Sequence, residues 1–292
     1  MLWLTRSSWM AVAVLGGDAI AAALQPHSHL VRVVATVTAW VLWGVVAVAL
    51  LVPSTIALTV CRSLVPLSAV AAVLTIGGAA SPLSSTVAVA CSVVMCALTA
   101  SGELGQAMVQ ASAYGDEQRF LLRPPVAFLA PAIVTWALTA ASIIAGPLLI
   151  AARSMAAGGV VSLVAISGTW VLAPRLHRLA RRWVVLVPAG VVVHDHVVLA
   201  DTVMIAARNM RGMSLAFADT EAADLTGPAP GHAVELSFGD AETVVFAGTR
   251  TNPAGRAIHA TAVLVAPTRP GRLIAAAGAR GLTVGARISG AT

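Results

Sequence analysis

A bundle of about six transmembrane helices, followed by a small, mainly antiparallel β domain closed by a C-terminal helix, is the architecture this sequence predicts. Three observations carry that expectation. Of 292 residues, 58% are hydrophobic and only 10% charged, against roughly 45–50% and about 25% in an ordinary soluble domain. The apolar residues form long runs up to about residue 174, then shrink after Arg182 to stretches of four to six between turn residues. Aromatic residues make up 4%, so Ala, Val and Leu supply the hydrophobicity, which suits helices in lipid. This composition excludes a soluble globular enzyme and a disordered chain. The expected division is a helical membrane domain over 1–180 and a β domain over 181–292.

Crossing a hydrocarbon layer of roughly 30 Å takes around 20 helical residues. Apolar runs of that order lie at about 9–24, 33–52, 63–79, 84–100, 126–150 and 158–174. The third and fourth are short and separated only by the turn from Gly77 to Pro82, which reads as a tight helical hairpin. The first has a competing reading as a secretory signal peptide, with Arg6, an apolar stretch from Trp9 and small residues Ala21 to Ala23. Asp18 argues for a retained helix, because the apolar core of a signal peptide rarely holds a carboxylate. Cys61, Cys91 and Cys96 all fall in apolar runs without metal or disulfide spacing and read as small apolar fillers.

The net charge is +6, and all 18 basic residues are arginine. An excess of arginine on the cytoplasmic side accounts for this without nucleic acid. With the N-terminus inside, the inner segments hold Arg6, Arg62, Arg119, Arg123, Arg175, Arg178, Arg181 and Arg182, and the outer loops only Arg32 and Arg153. That bias places the β domain in the cytoplasm of a bacterial inner-membrane protein.

Within the β half, Trp183–Val187 and Val191–His194 flank Pro188-Ala189-Gly190 and read as a hairpin. Further strands are expected at Val197–Leu199, Val203–Ala206, Ala222–Leu225, Ala233–Phe238, Thr243–Ala247 and His259–Ala266. Pro270–Ala279 reads as a helix, with Pro near its start and Gly281 just past its end. The stretch RRWVVLVPAGVVVHDHVVLADTVMI at 181–205, with VLVAPTRPGRLIAAA at 263–277, resembles a group of actinobacterial multi-pass membrane proteins of unassigned function whose C-terminal domain is PH-like. The resemblance implies a PH-like fold for the last 110 or so residues and a membrane-attached binding or assembly module. It supplies no activity.

Four places are candidate sites. His194 and His196 flank Asp195 and on a strand share one face, so they are candidate metal ligands if Asp201 or His232 supplies a third. The competing reading of the triplet is a turn after a strand. With Trp183 they are also candidate partner contacts at one end of the domain. Asp18 is a carboxylate at membrane depth, which costs roughly 2.5–3.5 kcal/mol at a helix centre and marks a functional candidate. It is expected to face the bundle, toward Arg32 or Arg62, with Gly16 and Gly17 permitting close helix approach. The segment Tyr114, Asp116, Glu117, Arg119, Phe120 and Arg123 reads as an interfacial loop, with the arginines at phosphates and the aromatics in the headgroup belt. Asp116 and Glu117, with Glu103, are the carboxylates open to a general-acid or metal reading. Arg175, Arg178, Arg181 and Arg182 form a basic belt suited to anionic lipid, worth about 1 kcal/mol per residue near the surface.

No nucleotide-binding, nucleophile-elbow or metalloprotease motif is present. The expected function is a non-catalytic membrane scaffold or accessory subunit, without a cofactor, whose partners are anionic lipid headgroups and a membrane protein or second copy. A small-molecule transporter or channel using Asp18 is the alternative, and an enzyme of lipid or cell-wall metabolism is third.

Overall fold

A computed structural model describes residues 1–217, 219–248 and 253–285. Seven helices and one short strand occupy the first 180 residues: α1 (Leu2–Leu24), α2 (His29–Leu51), α3 (Thr55–Val73), α4 (Pro82–Ala100), α5 (Gly102–Gln110), β1 (Gln118–Leu121), α6 (Val126–Ala151) and α7 (Met155–Ala180). Seven strands and a final helix follow: β2 (Arg182–Val187), β3 (Gly190–Asp195), β4 (Val203–Ala206), β5 (Met210–Leu215), β6 (Ala223–Asp224), β7 (Val234–Phe246), β8 (Arg256–Val265) and α8 (Pro270–Ala279).

Six helices, all except the short α5 and α8, are long and apolar enough to cross a membrane. Their starts follow capping chemistry. The hydroxyls of Ser28, Ser54 and Ser81 accept from the backbone N–H of Val31, Ala57 and Ser84, satisfying donors that the first turn leaves unpaired. α1 packs on α2, α3 and α4. Trp9 and Trp43 lock α1 to α2 reciprocally, each indole N–H donating to the other's backbone carbonyl at 3.0 and 3.2 Å. The small residues expected to allow close approach do so at Gly16, where an added Cβ would lie 3.4 Å from that of Ala88 on α4. The α6–α7 pair uses the same device, because a Cβ on Gly146, Gly158 or Gly168 would collide with Ser162, Ile150 or Thr139.

The helix α5 was not anticipated. Ser101 caps it by accepting from the Leu104 N–H at 3.2 Å, and Leu104 and Met108, four residues apart on one face, are fully buried. The third apolar run also begins earlier than expected, at Thr55, and ends at Val73 before the turn that contains Gly77.

The β half forms two four-stranded sheets, ordered β1-β2-β3-β4 and β5-β7-β8-β6. All pairings are antiparallel except the two-residue β6, which runs parallel to β8. The core between them draws on Phe120, Leu122, Val184, Leu186, Val193, Leu236, Val263 and Leu273 of α8. The predicted hairpin at 183–194 and the helix at 270–279 form as expected. Gly190 turns the hairpin at a φ of +150°, where a Cβ would fall 2.0 Å from the Ile205 carbonyl oxygen, so no other residue fits without displacing backbone.

Four expectations about this half are corrected. The two strands expected at 233–238 and 243–247 are one long β7, whose pairing with β8 shifts register between Ser237 and Glu242. Val197–Leu199 is a turn, with one bridge from Leu199 to Phe246. β5 was missed: Met210–Leu215 has an internal glycine and no β-branched residue, and its pairing with β7 alone makes it a strand. Finally, the division near residue 180 falls at 177/178, and an earlier segment joins the β half. One compact unit comprises 1–108 and 131–177, and the other 109–130 and 178–292. The segment between α5 and α6 belongs to the β domain because β1 is the outer strand of its first sheet.

Candidate functional site

The register of the first sheet builds the candidate site. Phe120 pairs with Val184 and Leu121 with Trp183, while Arg182 pairs with Asp195 and Trp183 with His194. Alternation along the strands therefore divides these neighbours between two faces. Arg182 and Asp195 point into the core with Val184, Leu186 and Val193. Arg119, Trp183 and His194 point the other way.

On the core face, the Arg182 guanidinium donates from Nε to Asp195 Oδ1 at 2.8 Å and from Nη2 to Oδ2 at 2.6 Å. Both side chains are fully buried, at 0% and 1% exposure. Its remaining N–H groups reach the carbonyls of Arg123 and Thr226. The Oδ1 atom also accepts from the backbone N–H groups of Val197 and Val198, making Asp195 the residue that starts a turn after the strand. Two of the expected assignments fall here. Arg182 is no lipid contact, because its charge is spent on Asp195 inside the core, and Asp195 is no partner contact. Arg175, Arg178 and Arg181 are exposed, so the basic belt keeps three members.

On the outer face a ladder runs across three strands. The Arg119 guanidinium carbon lies 5.2 Å from the centroid of the Trp183 ring. Trp183 stacks on His194 at 4.9 Å and 15°, and His194 meets His196 edge-on at 4.2 Å. His194 Nδ1 is 3.2 Å from the Thr202 hydroxyl, whereas its Nε2 is buried and without a hydrogen-bond partner. Burial, reinforced by His196, Arg181 and Arg119 nearby, pushes the His194 imidazole down to about 4. The ring is therefore neutral at pH 7.

That displacement has a sign. An unfolded chain protonates this histidine near its ordinary value of 6.5, whereas the folded one resists until about 4. The unfolded state binds more protons between those values, so stability contributed by the neutral ladder is present above pH 6.5 and is lost as pH falls toward 4. Unfolding of the purified protein followed by Trp fluorescence at pH 7 and pH 5 is expected to show a lower midpoint at pH 5, and His194→Gln is expected to flatten the difference.

Glu117 anchors the start of β1. Its Oε1 accepts from Arg119 Nε at 3.0 Å and Nη2 at 2.5 Å, and from the Tyr114 backbone N–H. The Gln110 side chain ties this turn to α5 by bonding the Glu117 carbonyl and the Arg119 N–H. Arg123 donates to the His232 carbonyl and packs against Gly231, and burial lowers its pKa. The expected interfacial loop is corrected accordingly: Phe120 is in the β core and not in a headgroup belt, and Arg123 is engaged inside the domain. Tyr114 and Asp116 remain exposed.

The two histidines do share a face, but Asp201 and His232 bring no third ligand. Among the described residues no group of three His, Cys, Asp or Glu could hold a metal ion. Asp18 is also placed differently from expectation. It is exposed on α1, while Arg32 hydrogen-bonds Gln25 and Arg62 donates to the Thr99 carbonyl. Comparison with protein-family models, with curated proteins and with solved structures finds no match.

Proposed function

We propose that this protein is a non-catalytic scaffold or accessory subunit of the bacterial inner membrane, which holds a cytoplasmic β domain of PH-like type for a protein partner. The observation that carries the reading is β1. A strand from the connection between two apolar helices completes the sheet that also begins directly after α7. The domain is thus tethered through three chain crossings instead of one flexible linker, which suits a module whose role is placement. Arg175, Arg178 and Arg181 add attraction to anionic lipid. Once Arg62, the eighth residue of α3, Arg182, in the core, and Arg123, engaged inside the domain, are set aside, Arg6, Arg119, Arg175, Arg178 and Arg181 still oppose Arg32 and Arg153. That asymmetry supports a cytoplasmic domain.

The partner surface in this reading is the rim of the ladder, where the exposed His196 and the half-buried Arg119 are accessible, while Trp183, 8% exposed, backs the ladder and is no partner contact itself. The transport alternative fits less well, because Asp18 lies on the outer side of α1, away from its contacts with α2, α3 and α4.

The test is affinity purification of the full-length protein from native membranes in mild detergent, with mass spectrometry of proteins and lipids. A stoichiometric protein partner is expected with the natural chain and is expected to be lost with Arg119→Ala, His194→Ala and His196→Ala combined. Recovery of the protein alone with bulk lipid overturns the reading, as does a partner retained by the triple variant.

A further inference from the structure

We infer that the exposed face of α1 around Asp18 seats a transmembrane helix of another protein, one that carries an Arg, Lys or His opposite the carboxylate. The helix has two distinct sides. Thr5, Trp9, Gly16 and Ala19 are buried against its neighbours. Ser7, Met10, Val14, Gly17, Asp18 and Ala21 are exposed and recur every three or four residues, so they form one face.

Asp18 lies six residues before the end of α1 at Leu24, or about 9 Å along the axis at 1.5 Å per residue. Side chains of a helix lean toward its N-terminus, so the carboxylate leans away from the nearer end, and its short stem cannot carry it to water. Ionisable groups at such depth face a bundle interior or a water-filled cavity and pair with one another. Asp18 does neither. The arginines within the first three helices are already engaged, Arg6 with the Leu50 carbonyl, Arg32 with Gln25 and Arg62 with the Thr99 carbonyl. The ion pairs among the described residues are Arg119–Glu117 and Arg182–Asp195. Among the described residues no hydrogen bond or ion pair engages Asp18, so its carboxylate is open to a complementary charge from outside this chain.

A second copy does not supply it. Two such faces placed together oppose carboxylate to carboxylate, and the side chain of Arg32, in the first turn of α2, leans toward the end of its own helix and away from the depth of Asp18. Gly17 has no atom within 4 Å of where its Cβ would be, and Ala21 lies one turn on, so a helix backbone can come close enough for a hydrogen-bonded ion pair.

The experiment uses the full-length protein, fluorescently labelled, in phosphatidylcholine–phosphatidylglycerol vesicles with labelled Leu-Ala transmembrane peptides. One peptide carries a single Lys at the depth of Asp18, and its control has Leu there. Energy transfer is expected to show about five-fold tighter association of the Lys peptide, the scale of an interhelical polar contact. Asp18→Asn is expected to abolish the preference, and Asp18→Arg to transfer it to a Glu peptide, with helicity unchanged in both. Equal binding of the Lys and Leu peptides, or a preference that survives Asp18→Asn, overturns the inference, as does Asp18-dependent association of labelled full-length copies without peptide. Because the peptides do not engage the β domain, the result is independent of the ladder experiment.

Discussion

Arg182→Ala is expected to destabilise the β domain by about 3–5 kcal/mol, the scale of breaking a buried ion pair from one side. The loss is large because truncation strands the Asp195 carboxylate in the core, still held by two backbone N–H groups but deprived of its counter-charge. It also leaves the Arg123 and Thr226 carbonyls without their donor. Against a total stability of about 5–15 kcal/mol, that change puts the domain near its folding threshold. Hydrogen exchange of the full-length protein in detergent, read on peptides from β2, β3 and β8, measures it. The neighbouring Arg181→Ala provides the contrast. Arg181 is exposed, so its loss is expected to stay within about 0.5 kcal/mol. Replacing the pair together by Met and Leu is expected to recover part of the deficit, because an apolar pair removes the unpaired charge but still leaves the Arg123 and Thr226 carbonyls and the Val197 and Val198 N–H groups without partners. Equal effects of Arg181→Ala and Arg182→Ala would show that the guanidinium of Arg182 is solvated.

Phe120→Ala is expected to cost about 3–5 kcal/mol, the range for emptying an aromatic site in a packed core. Phe120 is 7% exposed and packs in the same cluster as Val184 and Leu186. It lies between two apolar helices, so an interfacial-anchor role would make it matter for membrane attachment and leave the stability of residues 182–285 unchanged. As part of β1 it has the reverse effect. Exchange protection of β7 and β8, remote in sequence from Phe120, is expected to drop. Unchanged protection there would remove β1 from the domain.

The contrast between Arg181 and Arg182 shows where reading the sequence stops. Both sit in a basic run after an apolar helix, and composition treats them alike. The strand starting at Arg182 turns its odd-numbered and even-numbered side chains to opposite faces, and cross-strand pairing sets Asp195 directly opposite. The period-two alternation was legible and correctly put His194 and His196 on one face and Asp195 on the other. The ion pair was not, because it depends on the register of two strands across a turn. Asp18 illustrates a second limit. Its presence at membrane depth was plain from the sequence, but which side of α1 meets α2, α3 and α4 is set by helix packing, and that packing turns the carboxylate outward.

Local composition and short-range periodicity were enough for six apolar helices of spanning length, the hairpin around Gly190, the terminal helix after Pro270 and the change to short apolar runs near residue 180. Packing settled what depends on partners distant along the chain. It recruited residues 118–121 into the β domain, made a strand of Met210–Leu215, joined two expected strands into β7, buried Arg182 and exposed Asp18. The physical reason is common to all five. A backbone N–H, a carboxylate or an apolar ring is satisfied by whichever group the fold brings to it, and propensity along the chain carries no record of that group's position.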